Sequence, residues 1–223
     1  MMARPVQPHS ISGAPSYLEL GMMVLTGALH VVMEVLLRVG DYWLRVYNLS
    51  AAILWALYIL WRIWTTPGLA QVWGFRLDNF LPTWRRCVYL VVPATIAAFL
   101  YGRLTGRLPL PDSFWLILLI YPVYGIAQQV ALQVLINRNL RRLIPSPVIR
   151  AGVIGLLFGA VHIPNWILVG STLCAGVVFT WIYERCPNVL AIGVAHGFLG
   201  AMVYYLVLGI DPLAEWNAQP ITF

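Results

Sequence analysis

An all-α, polytopic transmembrane helix bundle is the fold class this sequence predicts, and three observations predict it. Hydrophobic residues make up 61% of the 223 and charged residues 10%, against about 25% charged in an ordinary soluble domain. The mean hydropathy is +0.79. Apolar runs close to 20 residues recur along the chain, the length that about 30 Å of hydrocarbon demands at about 1.5 Å per residue.

Seven such runs read as spans: 17–37, 48–64, 87–102, 114–136, 148–169, a shorter 171–183, and 188–208. The shortness of the sixth leaves six or eight spans as alternatives. Ahead of the first lies a polar, Pro-rich tail, 1–16, and behind it Arg38 rather than a small-residue cleavage site. The first run is therefore expected to be a retained helix, not a signal peptide. Between the second and third, residues 65–85 are too polar to span. Trp73, Phe75, Phe80 and Trp84 alternate there with Arg76, Arg85 and Arg86, which predicts a segment lying on the headgroups. Thr66-Pro67-Gly68, Leu108-Pro109 and Pro145-Ser146-Pro147 supply turn chemistry between runs. No internal repeat divides the chain, so 17–208 reads as one transmembrane domain, followed by a tail at 209–223.

The net charge of +6 comes from arginine alone. Ten arginines (4, 62, 76, 85, 86, 138, 141, 142, 150 and 185) fall on the N-terminal side of this topology, against Arg38, Arg45, Arg103 and Arg107 on the other. The bias predicts a cytoplasmic N-terminus in a bacterial-type inner or plasma membrane, and contact with anionic lipid rather than nucleic acid. Cys87, Cys174 and Cys186 show no CxxC spacing, and their odd number predicts free thiols.

Polar side chains inside the apolar runs are the candidates for chemistry, because an amide or imidazole in hydrocarbon costs free energy unless it is partnered. The fourth run holds Gln128 and Gln129. Gln129, Gln133 and Asn137 recur every four residues along one face, with Tyr124 and Gln128 as a second row beside it. On the fifth, Phe158, His162 and Trp166 share a face, Asn165 lies alongside, and Pro164 loosens the helical ladder. On the seventh, Gly193 and Gly197 form a GxxxG around His196 that lets a neighbouring helix approach. Measured from the arginine-rich loops, Gln129, His162 and His196 fall at depths that agree within about one helical turn. A shared intramembrane cavity lined by Gln128, Gln129, Gln133, His162 and His196 is the expectation. Inter-helix hydrogen bonding that merely holds the bundle together is the alternative.

With these residues in place the chain resembles the CPBP intramembrane proteases. That family includes the type II CAAX prenyl endopeptidases and the bacteriocin-processing, Abi-like proteins. It carries Glu-Glu-x-x-x-Arg on one helix, Phe-x-x-x-His on a later one and His-x-x-x-Asn on another. Here the second motif is intact as Phe158 to His162. The third keeps His196 but has Gly200 in place of Asn, and the first has Gln128 and Gln129 for the two Glu and Gln133 for the Arg. The match in order and spacing covers roughly 114–208, and the segment 74–80, GFRLDNF, resembles the stretch that precedes the core in such proteins.

The resemblance implies that Gln128 or Gln129 occupies the position of the base that activates water, with His162 and His196 in support and Phe158, Asn165 and Gly200 lining the cavity. A carboxamide has essentially no basicity near pH 7, and losing a general base costs about 10²–10⁴ in rate. Two neutral imidazoles without a carboxylate are too few for zinc, so no metal and no cofactor are expected. The predicted function is a catalytically impaired member that binds membrane lipid, a membrane peptide or a partner subunit through the cavity. Two alternatives stand beside it: an active endopeptidase using another base, a histidine or Glu34, and a Glu→Gln form that traps a complex. A bis-histidine haem or metal site is a third class of reading. Glu34 is expected to pair with Arg38, and Glu184 with Arg185.

Overall fold

The computed structural model describes residues 15–218; the outer parts of the two predicted tails, 1–14 with Arg4 and 219–223, lie outside the described residues. Among the described residues, six helices are long and apolar enough to cross a membrane: α1 (Tyr17–Leu36), α2 (Asp41–Thr65), α4 (Phe80–Leu104), α5 (Ser113–Leu140), α7 (Trp166–Arg185) and α8 (Val189–Leu208). Three shorter ones, α3 (Leu69–Val72), α6 (Pro147–Ala160) and α9 (Pro212–Ala218), complete the all-α architecture. No strand occurs among the described residues. Wider π-helical turns form Val32–Leu36 in α1, Val130–Asn137 in α5 and Val203–Leu208 in α8.

Seven passes thus become six long helices and one short one. The predicted fifth span, 148–169, ends early: α6 has 14 residues, about 21 Å. The chain leaves the helix before Pro164, which has no N–H to donate. Asn165 then starts α7 by accepting from Leu168 N–H at 3.1 Å, so the predicted sixth span gains residues at both ends. The third begins at Phe80 rather than 87, which takes Trp84, Arg85 and Arg86 into α4. Leu69 and Trp73, expected among the headgroups, are instead fully buried. The Tyr183 hydroxyl donates to the Trp73 carbonyl at 3.0 Å. Gly74, at φ +89, passes so near that an added Cβ would lie 3.1 Å from Val189 N.

Hydrogen bonds tie the helix ends into two groups. At the arginine-rich end, Ser16 N–H donates to Asn139 Oδ1 (2.8 Å) and Arg62 meets Glu19 at 2.6 Å. Asn188 Nδ2 there donates to both the Arg76 carbonyl and Asn79 Oδ1 at 2.7 Å. At the other end, Arg107 donates to the Leu206 and Val207 carbonyls, and Ser113 and Tyr205 donate to Asp211 at 2.6 and 2.8 Å. Burial pushes Asp211 up. The bonds from Ser113, Tyr205 and the Leu213 and Ala214 N–H groups outweigh that and hold its carboxyl below the usual range.

Burial grades across the bundle. No residue of α2 is buried and only Glu19 is in α1, whereas α8 buries most of its length. Side chains of α3, α4, α5, α7 and α8 interlock around Trp73, Cys87, Val134, Phe179 and Ile192.

Candidate functional site

The site grows from one close crossing. On α8, a Cβ added at Gly193 would lie 2.5 Å from Ile126 Cα, and one at Gly197 would lie 2.3 Å from the Tyr121 carbonyl oxygen. Reciprocally, one at Gly125 of α5 would lie 2.3 Å from the Gly193 carbonyl oxygen. Only hydrogen fits at all three, and the backbones meet as small-residue motifs in membranes allow.

This crossing sets Gln128 Oε1 2.6 Å from His196 Nε2. A carboxamide oxygen only accepts, so His196 carries its proton on Nε2. His162, two residues past the end of α6, has Nδ1 2.7 Å from the Phe158 carbonyl oxygen. A carbonyl also only accepts, so Nδ1 holds the proton and Nε2 presents a lone pair. Thr172 Oγ1 lies 3.4 Å from that Nδ1 and donates to the Leu168 carbonyl at 2.6 Å. The Phe158 ring stands 5.2 Å from each imidazole centroid, and Phe179 lies 5.8 Å from His196 edge-on.

Gln128, His162, His196 and Gly200 share the wall of a cavity of about 60 Å³. Tyr121, Tyr124, Leu168, Thr172, Gly197 and Tyr204 complete it. Tyr124 was legible as Gln128's neighbour in the second polar row. Thr172 and Leu168 carry no sequence signal, because they enter through the early start of α7. No carboxylate lines the cavity, and no group of three His, Cys, Asp or Glu is placed to hold a metal ion among the described residues.

The remaining predicted residues stand elsewhere. Gln129, Gln133 and Asn137 are fully buried on the other row of α5. Gln133 Nε2 donates to Gln129 Oε1 (3.2 Å) and Thr180 Oγ1 (3.0 Å), and Asn137 Nδ2 donates to Gln133 Oε1 (3.3 Å) and Glu184 Oε1 (2.8 Å). Arg150 closes the ladder, with Nε 3.1 Å from Asn137 Oδ1 and an ion pair to Glu184 at 2.8 Å. Gln129 Nε2 has no partner among the described residues. Adjacent helical residues point about 100° apart, so the diglutamine divides between two environments. Phe158 is buried between the imidazoles and Asn165 caps α7. Glu34 meets His30 at 3.1 Å, one turn back along α1, rather than Arg38. Glu184 turns inward to Arg150, with Arg141 at 3.4 Å, rather than to Arg185.

Residues 109–202 match the family model described as type II CAAX prenyl endopeptidase Rce1-like. That segment runs from the approach to α5 into α8 and holds every cavity residue except Tyr204. No curated protein and no solved structure matches the chain.

Proposed function

We propose that this integral membrane protein, whose core is of the CPBP type, binds a membrane-associated or prenylated peptide at the Gln128–His162–His196 cavity without hydrolysing it. One observation carries the reading: the side chain bonded to His196 is a carboxamide. Gln128 spends its acceptor on that imidazole and one N–H on the Tyr124 hydroxyl, which leaves one N–H donor for a peptide carbonyl, but it takes no proton from water. The missing base accounts for about 10²–10⁴ in rate. At about 60 Å³ the cavity suits a peptide group, while ligand pockets for larger molecules run to about 300–1,000 Å³. A prenyl chain would therefore lie outside it, against the bilayer.

A second reading has its own observation. His162 Nε2 is a lone pair with no partner among the described residues, and as a base it would restore slow hydrolysis. The chain in lipid nanodiscs, offered a fluorescent farnesylated C-terminal peptide, separates the two. Saturable binding that His196→Ala weakens at least about 10-fold, with no product, supports the binding protein. Product formation that disappears in His162→Ala overturns it in favour of the enzyme.

A further inference from the structure

The arginine-rich end carries a groove that the cavity chemistry leaves unused. It lies between α4 and α7, with a volume of about 330 Å³. Tyr89 and Leu90 of α4 face Val178 and Trp181 of α7 across it, and Arg86 and Arg185 flank it. The helices run in opposite directions, so each guanidinium precedes or follows its apolar stripe by about one turn, on the same side of the molecule.

Neither arginine has a carboxylate partner among the described residues. Arg185 stacks on the Trp181 ring, 3.4 Å from its centroid, which fixes the guanidinium at the mouth. Their hydrogen bonds go to backbone carbonyls one turn back: Arg86 to Pro82 at 2.9 Å and Arg185 to Trp181 at 3.5 Å. No carboxylate lines the groove among the described residues, and the neighbouring Glu184 is committed to Asn137, Arg150 and Arg141. Away from the arginines the apolar surface continues along α4: Tyr89, Val92 and Ile96 are 85%, 48% and 56% exposed at helical spacing. Paired cations at the end of an apolar cleft, at the arginine-rich ends of α4 and α7, complement an amphiphile with a negative head.

We propose that this groove is a binding site for one anionic phospholipid, with its phosphate between Arg86 and Arg185 and an acyl chain along Tyr89, Leu90 and Val178. A free phosphate would leave the apolar walls uncovered, so the lipid is the occupant.

The test uses the full chain in phosphatidylcholine nanodiscs titrated with phosphatidylglycerol, with bound lipid counted by native mass spectrometry. One phosphatidylglycerol per chain is expected. Arg86→Gln with Arg185→Gln should weaken it about 30-fold, the effect of removing two basic contacts near the surface. Arg85→Gln with Arg142→Gln removes the same charge from the same end and should leave binding nearly intact. Both pairs are exposed, so melting in pure phosphatidylcholine should be unchanged. Equal losses in the two double variants would reduce the effect to diffuse surface charge and overturn the site. Equal retention of phosphatidylcholine, or displacement of the lipid by millimolar inorganic phosphate, would overturn it as well.

Discussion

Gln128 and Gln129 are neighbours in the chain and belong to different worlds in the fold. Gln128 opens onto a small cavity against His196 and next to a second imidazole. Gln129 heads a buried ladder that runs through Gln133 and Asn137 to the Glu184–Arg150 pair. The cavity holds polar atoms with unspent capacity, including the His162 Nε2 lone pair, one Gln128 N–H and the Tyr121 and Tyr204 hydroxyls. The ladder spends nearly all of its capacity internally. In hydrocarbon the first arrangement is tolerable where a ligand or water completes it, and the second is what a bundle uses to fix helix positions. Polarity alone does not mark a site; unsatisfied, accessible polarity does.

The largest expected effect falls on the ladder. Arg150→Met leaves Glu184 with the more distant Arg141 and strips donors from Asn137 and from the Ile144 and Pro145 carbonyls. A loss of about 3–5 kcal/mol is expected on reversible unfolding in detergent, as for other broken buried pairs. Gln129→Glu comes next. Its carboxyl must be buried neutral, which costs about 3–4 kcal/mol at pH 7, whereas Gln128→Glu at the cavity wall should cost far less. Equal destabilisation by the two would erase the distinction between the rows.

Gly197→Val sharpens the comparison from the side of the cavity. Its Cβ would meet the Tyr121 carbonyl, and overpacking of this kind costs about 1–3 kcal/mol. Peptide binding should fall together with stability, while Arg150→Met should spare binding in whatever fraction remains folded. The smallest effect lies outside both regions, at Asp211. Its folded-state value is depressed, so its contribution is present above the unfolded carboxyl's range, near pH 4, and is lost as pH falls through the folded value. Asp211→Asn should flatten that acid limb by less than about 1 kcal/mol, read as melting temperature against pH.

Much of this was legible in the chain. Apolar run length gave the helices, and the two polar rows of α5 already separated Tyr124 and Gln128 from Gln129, Gln133 and Asn137. The GxxxG around His196 forecast a close helix approach, and the structure supplies α5 as the partner. What escaped were features set by contacts rather than by periodicity. The break at residues 161–165 follows from Pro164 and the Asn165 cap acting together, and it moved α7 enough to bring Leu168 and Thr172 to the cavity. Trp73 reads as interfacial by type but is buried beneath Tyr183. Glu184 has an arginine beside it in sequence yet pairs with one 34 positions away, because the α6–α7 hairpin returns to the same end.

The most direct test is hydrolysis of a farnesylated peptide by the unmodified chain, Gln128→Glu and Gln129→Glu, at equal folded concentration in nanodiscs. Restoring a base at the cavity wall should raise turnover by about 10²–10⁴ in Gln128→Glu, with the other two silent. Cleavage by Gln129→Glu with Gln128→Glu inactive would contradict the assignment of the cavity to Gln128. Turnover by the unmodified chain equal to that of Gln128→Glu would contradict the missing base.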